Sequence, residues 1–265
     1  MEALLDTSIL SWNIRGAQNN NARRQLKDLV RKYRPTYFAI FETDTLFASL
    51  SSFWVNNGYS HVHVIEANGH SGYIWLMMHT ATTNTSTVLD YNQYSITFTI
   101  SRNTATTTCT CVYAIPNPVM RTNFWNYLAT TSHTITGPWM LIDDFNETLL
   151  PSDKRGGIFQ HNRAAQFSTF MDNCNLLDIT TTGGRFTWHH NHNGIRILSK
   201  KLDRGLSNVD WRISFPYAFV EVLCRVYSDH NPLLLHFGGL PLARGTRPFQ
   251  FEAAWIDHKD YENLV

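Results

Sequence analysis

The run Pro138-Trp139-Met140-Leu141-Ile142 is wholly apolar and stops at Asp143-Asp144-Phe145-Asn146-Glu147. Its length and flanks suit a buried strand that delivers polar groups at its tip. A strand end is a rigid place from which to aim a carboxylate. Alone, the stretch reads as a strand followed by an Asx turn. It is not alone. Asn13, Glu42, Tyr113, Asp203 and the pair Asp229-His230 also sit where an apolar run gives way to a turn.

A chain of 265 residues, 43% hydrophobic and 13% aromatic, can bury a large core in one α/β-type domain. Lys and Arg total 22 against 21 Asp and Glu, for a net charge of +1, so any face that binds phosphate must be local. Cys109, Cys111, Cys174 and Cys224 form no C-x-x-C pair and lie in apolar patterns, which predicts buried free thiols in a reducing compartment. The first strand begins a few residues after Met1, leaving no room for a signal peptide. The longest apolar run, Tyr73 to Met78, is too short to cross a bilayer. The expectation is an intracellular protein, nuclear or cytoplasmic, without a membrane segment.

Strands are predicted over Ser8–Trp12, Tyr37–Phe41, Ser60–Ile65, Gly72–Met78, Tyr94–Ser101, Thr106–Tyr113, Arg185–Trp188, Phe219–Tyr227 and Leu233–Phe237. Asn21 is read as the cap of a helix ending near Tyr33, stopped by Pro35. A second helix packs Phe124, Tyr127 and Leu128 inward. A third, capped at Asn162, carries Phe167, Phe170, Met171 and Cys174 at i, i+3, i+4, i+7. Many strands with few helices suggest two sheets packed face to face with helices outside. From Gly238 the Gly-Gly pair, prolines and scattered charges mark a tail, which divides the chain into a domain over 1–237 and a tail or linker over 238–265.

The polar tips supply four carboxylates, two amides, one imidazole and one phenol. Carboxylates with amides suit Mg²⁺, a hard cation that keeps waters for phosphate oxygens. A histidine with aspartates available can become a charge-oriented imidazole. Such groups meet the needs of phosphate-ester hydrolysis. Bland readings stand beside these: Tyr113 as a core aromatic, and Asp203 as part of a surface ion pair. His189-His190-Asn191-His192 hints at zinc, but a strand alternates faces and no cysteine is near, so a metal is disfavoured there. Arg23, Arg24, Lys27, Arg31 and Lys32 read as a solvated helix face.

Six segments occur in the order found in the endonuclease/exonuclease/phosphatase superfamily. They are Ser11-Trp12-Asn13-Ile14-Arg15-Gly16, Glu42-Thr43, Val112-Tyr113, Asp144-Phe145-Asn146-Glu147, Leu202-Asp203-Arg204 and Ser228-Asp229-His230. Lys154-Arg155-Gly156-Gly157, Phe186-Thr187-Trp188 and Arg247-Pro248-Phe249 through Ala254-Trp255 resemble the apurinic-type endonuclease domain of plant LINE-like (non-LTR) retrotransposons.

The resemblance implies a DNase I-like, four-layer α/β/β/α sandwich of two mixed sheets with the site at one end. It implies Glu42 as the principal Mg²⁺ ligand, helped by Asn13 and Asp229, with Mn²⁺ able to substitute. Asp144 would orient or deprotonate water, Asn146 and Tyr113 would hold the phosphate, and His230 oriented by Asp203 would offset charge on it. Asn13, Asn117 and Trp188 join the set contacting phosphate or DNA. The implied activity is nicking of target-site duplex DNA, whose freed 3′ hydroxyl primes reverse transcription, by a monomer that needs no protein partner. Asp143 and Asp44 stand where the superfamily usually has glycine and lysine, and Tyr73 where a second glycine commonly follows Ser-Gly. The two aspartates predict weakened activity. A phosphatase of the same fold, or an impaired relic that at most binds nucleic acid, is the rival reading.

Overall fold

The computed structural model describes residues 1–66, 74–192 and 195–239. The expected turn before Tyr73, the position of Tyr73 itself and the tail from residue 240 lie outside them.

One sheet has seven strands in the order β11 (Thr181–Gly183), β15 (Phe219–Val222), β16 (Leu233–His236), β1 (Ser8–Asn13), β2 (Tyr37–Phe41), β4 (Ile74–His79) and β3 (Tyr59–Ile65). A second has six, in the order β10 (Leu177–Asp178), β14 (Asp203–Ser207), β8 (Trp139–Asp144), β7 (Ala105–Tyr113), β6 (Ser95–Arg102) and β5 (Thr85–Asn92). A small third sheet joins β12 (Trp188–His192), β13 (Ile195–Lys200) and β9 (Lys154–Arg155). Both large sheets mix parallel and antiparallel pairs, β1 with β2 and β7 with β8 being parallel.

Side-chain alternation builds the layers. Ile9 of β1, Phe41 of β2, Met140 and Ile142 of β8 and Cys111 of β7 meet in the core between the sheets. The opposite faces look outward. Leu10, Trp12 and Phe38 pack on Leu26, Leu29 and Val30 of α1 (Asn20–Tyr33) and on Trp54 of α2 (Ser51–Asn56). Leu141 and Val112 pack on Trp125 of α3 (Pro118–Ser132) and Phe167 of α4 (His161–Asn173). A last short helix, α5 (Val209–Ser214), puts Trp211 into the inter-sheet core. Strands covered on both faces read as near-continuous apolar runs, which is why β8 and β2, and β1 apart from Ser11, stand out in the sequence.

Several expected boundaries move. The α1 cap is Asn19, whose side chain accepts from the Asn21 amide. The helix α4 starts at His161 after Gln160, with no side-chain cap from Asn162. The strand expected at Arg185–Trp188 begins only at Trp188, and β15 ends at Val222 rather than Tyr227. Asp203 opens β14 instead of a turn. Cys109, Cys111 and Cys174 are buried free thiols, but Cys224 is exposed. The five basic residues of α1 are exposed as expected. No helix among the described residues is long and apolar enough to cross a membrane.

Just past β8, buried Glu147 accepts from Arg121 of α3 at 2.5 Å and from Arg163 of α4 at 2.8 Å. Arg121 is itself 2% exposed, so its charge depends on that carboxylate. Glu147→Gln removes the charge and leaves a buried cation uncompensated, which should cost about 3 kcal/mol. The expected readout is a lower urea midpoint with an unchanged slope. An unmoved midpoint would show that this triad does not hold the helices to the sheet.

Candidate active site

Register places the first row of the site. Asp144 at the end of β8 pairs across the ladder with Tyr113 of β7 on one side and Asp203 of β14 on the other. The opposing sheet contributes Asn13 at the end of β1, beside Phe41 and the following Glu42. The Asn13 side-chain amide donates to Glu42 Oε1 at 2.8 Å and, more weakly, to Asp144 Oδ2 at 3.4 Å. One buried amide thus links the two sheets.

The turns that follow are held in unusual backbone. Glu42 and Asn146 have φ of 48° and 51°, in the left-handed region that costs most residues energy. The Glu42 turn is tied to the β1 turn by backbone bonds from Ile14 to Phe41, Gly16 to Glu42 and Ala17 to Thr43. The Asn146 turn is closed by its own amide donating to Asp144 Oδ1 at 2.8 Å, while the Asn146 side chain donates to Ala114 O at 2.7 Å and Asp144 Oδ2 at 3.2 Å.

His230 is buried with Nδ1 2.9 Å from Asp203 Oδ1 and Nε2 3.8 Å from Asp144 Oδ2. Burial alone lowers its pKa, but Asp203 and Asp144 outweigh burial and raise it to about 10. Burial raises the Asp144 carboxyl to about 7, against the opposing pull of His230. Burial and the Glu42 carboxylate push the Tyr113 hydroxyl up, so it stays a neutral phenol. Tyr113 is buried.

Asp144, Asp203 and His230 offer ligand atoms within 4.8 Å of one another. A protonated imidazole has no lone pair for a metal, so this trio suits proton and charge handling instead. Asn13 Oδ1 is different. It is buried without a hydrogen-bond partner, on the residue that bonds Glu42. With Glu42 and Asp229 it makes an all-oxygen donor set, which fits a hard divalent cation.

Asp229 accepts from the Trp188 indole at 2.8 Å and forms an ion pair with Arg15, whose Nε lies 2.8 Å from Oδ1. Lys200 lies over the Trp188 ring, 4.9 Å from its centroid, and His190 stacks on it. Asn117 is not brought into this cluster by any hydrogen bond among the described residues; its side chain caps α3 by accepting from Val119 and Met120. His189 is buried with Nδ1 3.0 Å from Ser199 Oγ, whereas His190 is exposed, so the two lie on opposite faces of β12. Sequence reasoning gave no role to Arg15, which lies 3.6 Å from Glu42 Oε2 as well as on Asp229. Its place in the Asn13-Ile14-Arg15-Gly16 segment was the available signal.

A helix-flanked double sheet with such a cluster at one end is the architecture of DNase I-like phosphoester hydrolases. Residues 10–230 match the Endonuclease/Exonuclease/phosphatase family, and the chain belongs to that family. Among solved structures, the endonuclease domain of TRAS1, a telomere-specific non-LTR retrotransposon, superposes with a TM-score of 0.67 at 12% identity, over 87% of this chain and 98% of that one. An AP endonuclease from Leishmania major gives a TM-score of 0.70 at 13% identity, over 86% of each chain. A 3′ phosphatase from Neisseria bound to a product DNA hairpin gives 0.63 at 15% identity, over 87% of this chain and 99% of that one. At these identities the likeness is one of fold. A search of curated protein sequences found no match.

Asp143 departs from everything around it. It is fully buried at φ 106°, and neither carboxyl oxygen has a hydrogen-bond partner of normal geometry. The Ser11 hydroxyl favours its charged form only weakly, while burial and then Asp203 and Asp144 push its pKa well above the ordinary range. A folded-state pKa raised this way costs nothing at low pH, where both states are protonated. The cost grows as pH rises above the unfolded value of about 4. Asp143→Gly removes that cost, the backbone strain and the unsatisfied carboxyl. Net of the added chain freedom of glycine, the gain should be about 2 kcal/mol. Melting should rise by roughly 4–8 °C, with a larger gain at pH 8 than at pH 5. A variant that melts no higher than the parent at both pH values would show that the site accommodates Asp143 without strain.

Proposed function

We propose that this chain is a divalent-metal-dependent endonuclease that nicks duplex DNA, of the kind carried by retroelements. The observation that carries the reading is the buried chain of contacts Glu42–Asn13–Asp144 with the His230–Asp203 pair against it. It joins an oxygen-donor set to a poised acid and base. The similarity in fold to a retrotransposon endonuclease domain and to AP endonucleases supports the choice of DNA.

Glu42, Asn13 through Oδ1, and Asp229 would hold Mg²⁺, or Mn²⁺ in its place. When bound, the ion supplies Lewis-acid neutralisation of charge on phosphate oxygens. Asp144 is half deprotonated near pH 7 and fixed by the Asn146 amide, so it accepts a proton from water as that oxygen bonds to phosphorus. The P–O3′ bond breaks, and the departing O3′ takes a proton from solvent water, leaving a 3′ hydroxyl and a 5′ phosphate. His230 stays cationic and faces developing charge on the phosphoryl oxygens. Asp203 fixes its tautomer and orientation. Tyr113, across the ladder from Asp144, and Asn146, hydrogen-bonded to it, would contact the phosphate. Trp188, its indole fixed by Asp229 and its ring covered by Lys200, offers a face beside the site for DNA.

Relaxation of supercoiled plasmid tests this directly. Nicked circles should appear with Mg²⁺, disappear with chelator, and fall at least a hundredfold in Glu42→Ala and His230→Ala. No nicking, together with phosphate release from a 3′-phosphorylated oligonucleotide, would favour a phosphatase instead. Neither product would leave the relic reading.

The rate should rise with pH through about 7 as Asp144 loses its proton, and fall through about 10 as His230 loses its own. Asp203→Asn keeps a hydrogen-bond acceptor but removes a charge, so the alkaline limb should move down toward the ordinary histidine value of about 6.5. An alkaline limb that stays in place would separate His230 from that limb. The paired reversion Asp143→Gly with Asp44→Lys should raise nicking at least tenfold, about 1.4 kcal/mol of barrier. Equal rates across a Mg²⁺ and pH series would show that both aspartates are harmless to turnover.

A further inference from the structure

Arg15 sits in the turn after β1 with φ 49°, followed by Gly16 at φ 98°. Three backbone bonds stitch this turn to the one bearing Glu42, so the two turns move as one unit. From that fixed base the Arg15 side chain reaches between two carboxylates, Nε lying 2.8 Å from Asp229 Oδ1 and 3.6 Å from Glu42 Oε2. It is 49% exposed, so it can leave without unpacking the core.

A divalent cation bound by Glu42 and Asp229 needs their oxygens at roughly 2.0–2.6 Å. The guanidinium occupies the same oxygens, and a cation of like sign at that range is repelled by the incoming ion. The two cations therefore compete. Without metal, the arginine keeps the two carboxylates from repelling each other. Once displaced, its planar fork of five donors is free beside the place a phosphate must reach, and guanidinium is well matched to phosphate oxygens.

We propose that Arg15 is a tethered counter-cation of the Glu42–Asp229 pair, which a divalent metal displaces and which then binds a phosphate oxygen of the substrate. The inference rests on the assignment of the metal to Glu42 and Asp229 made above, and it joins metal loading to phosphate capture through one side chain.

The test uses binding rather than turnover. Mg²⁺ is titrated calorimetrically into the full chain without DNA, for the parent, Arg15→Met, Arg15→Lys and Glu42→Gln. Arg15→Met keeps the apolar stem and loses the charge. It should bind Mg²⁺ about tenfold more tightly and melt lower than the parent in chelator. Arg15→Lys should stay near the parent value, and Glu42→Gln should lose most binding. Inorganic phosphate is then titrated with Mg²⁺ present. The parent should bind it more tightly than Arg15→Met does. Mg²⁺ affinity that is unchanged or weaker in Arg15→Met overturns the displacement, and phosphate affinity equal in both overturns the capture step. A parent that binds Mg²⁺ and nicks plasmid while Arg15→Met behaves identically defeats this inference alone. A parent that does neither defeats the metal assignment along with it.

Discussion

The cross-strand row Tyr113–Asp144–Asp203 is the constraint on which the site depends. Ladder hydrogen bonds fix those three positions to one another, and no side-chain packing can slip one without slipping a strand. The second sheet is set against this row by the inter-sheet core, in which Phe41 and Tyr113 approach to 6.4 Å between ring centroids. Asn13 can therefore touch both Glu42 and Asp144 only while that core keeps the sheets at their packing distance, about 10 Å. Core and site are mechanically one object. Substitutions in Ile142 or Phe41 act on the site through spacing.

The strand β8 was legible because both of its faces are buried. The same rule made β1 and β2 visible. It failed for β14, Asp203-Arg204-Gly205-Leu206-Ser207, which looks like a polar loop and is buried along its whole length. Arg204 tolerates burial because Asp153 and Asp178 take its guanidinium at 2.6 and 2.8 Å. Gly205 is required because a Cβ there would lie 2.8 Å from Val220. Neither cause can be seen locally, since both partners are distant in sequence. The strand β5 escaped for the opposite reason: it is an edge strand whose exposed face carries Leu89 and Tyr91 while its other face carries Ser86, Asp90 and Asn92, so polarity does not follow burial.

The candidate site divides in the same way. Residues carried by the ordered segments, Asn13, Glu42, Asp144, Asn146, Asp203, Asp229 and His230, do come together in space. Asn117, which the resemblance put in contact with phosphate or DNA, lies outside those segments, and its side chain caps α3 just before Pro118. Arg15 shows the converse. A charged residue at a turn usually reads as solvated, and only the convergence of two carboxylates gives it a role.

Electrostatics then explains why one fold can carry so many acids at one end. Asp144 and His230 are pushed up together, the carboxyl by burial and the imidazole by its two aspartates. Between about pH 7 and 10 the pair is therefore base and cation at once. Asp143 enters the same field with neither carboxyl oxygen hydrogen-bonded, and burial with Asp203 and Asp144 outweighs the pull of His230 and holds its proton on. A neutral carboxylic acid repels an approaching phosphate far less than a carboxylate does. What Asp143 costs the protein is then mainly strain and an unmet hydrogen bond, terms that fall on stability. Asp44 is different, because it is exposed, and under the proposed function its charge would oppose an arriving polyanion. Under the proposed function the two departures from the family pattern would thus act on different properties, the first on the fold and the second on encounter with DNA.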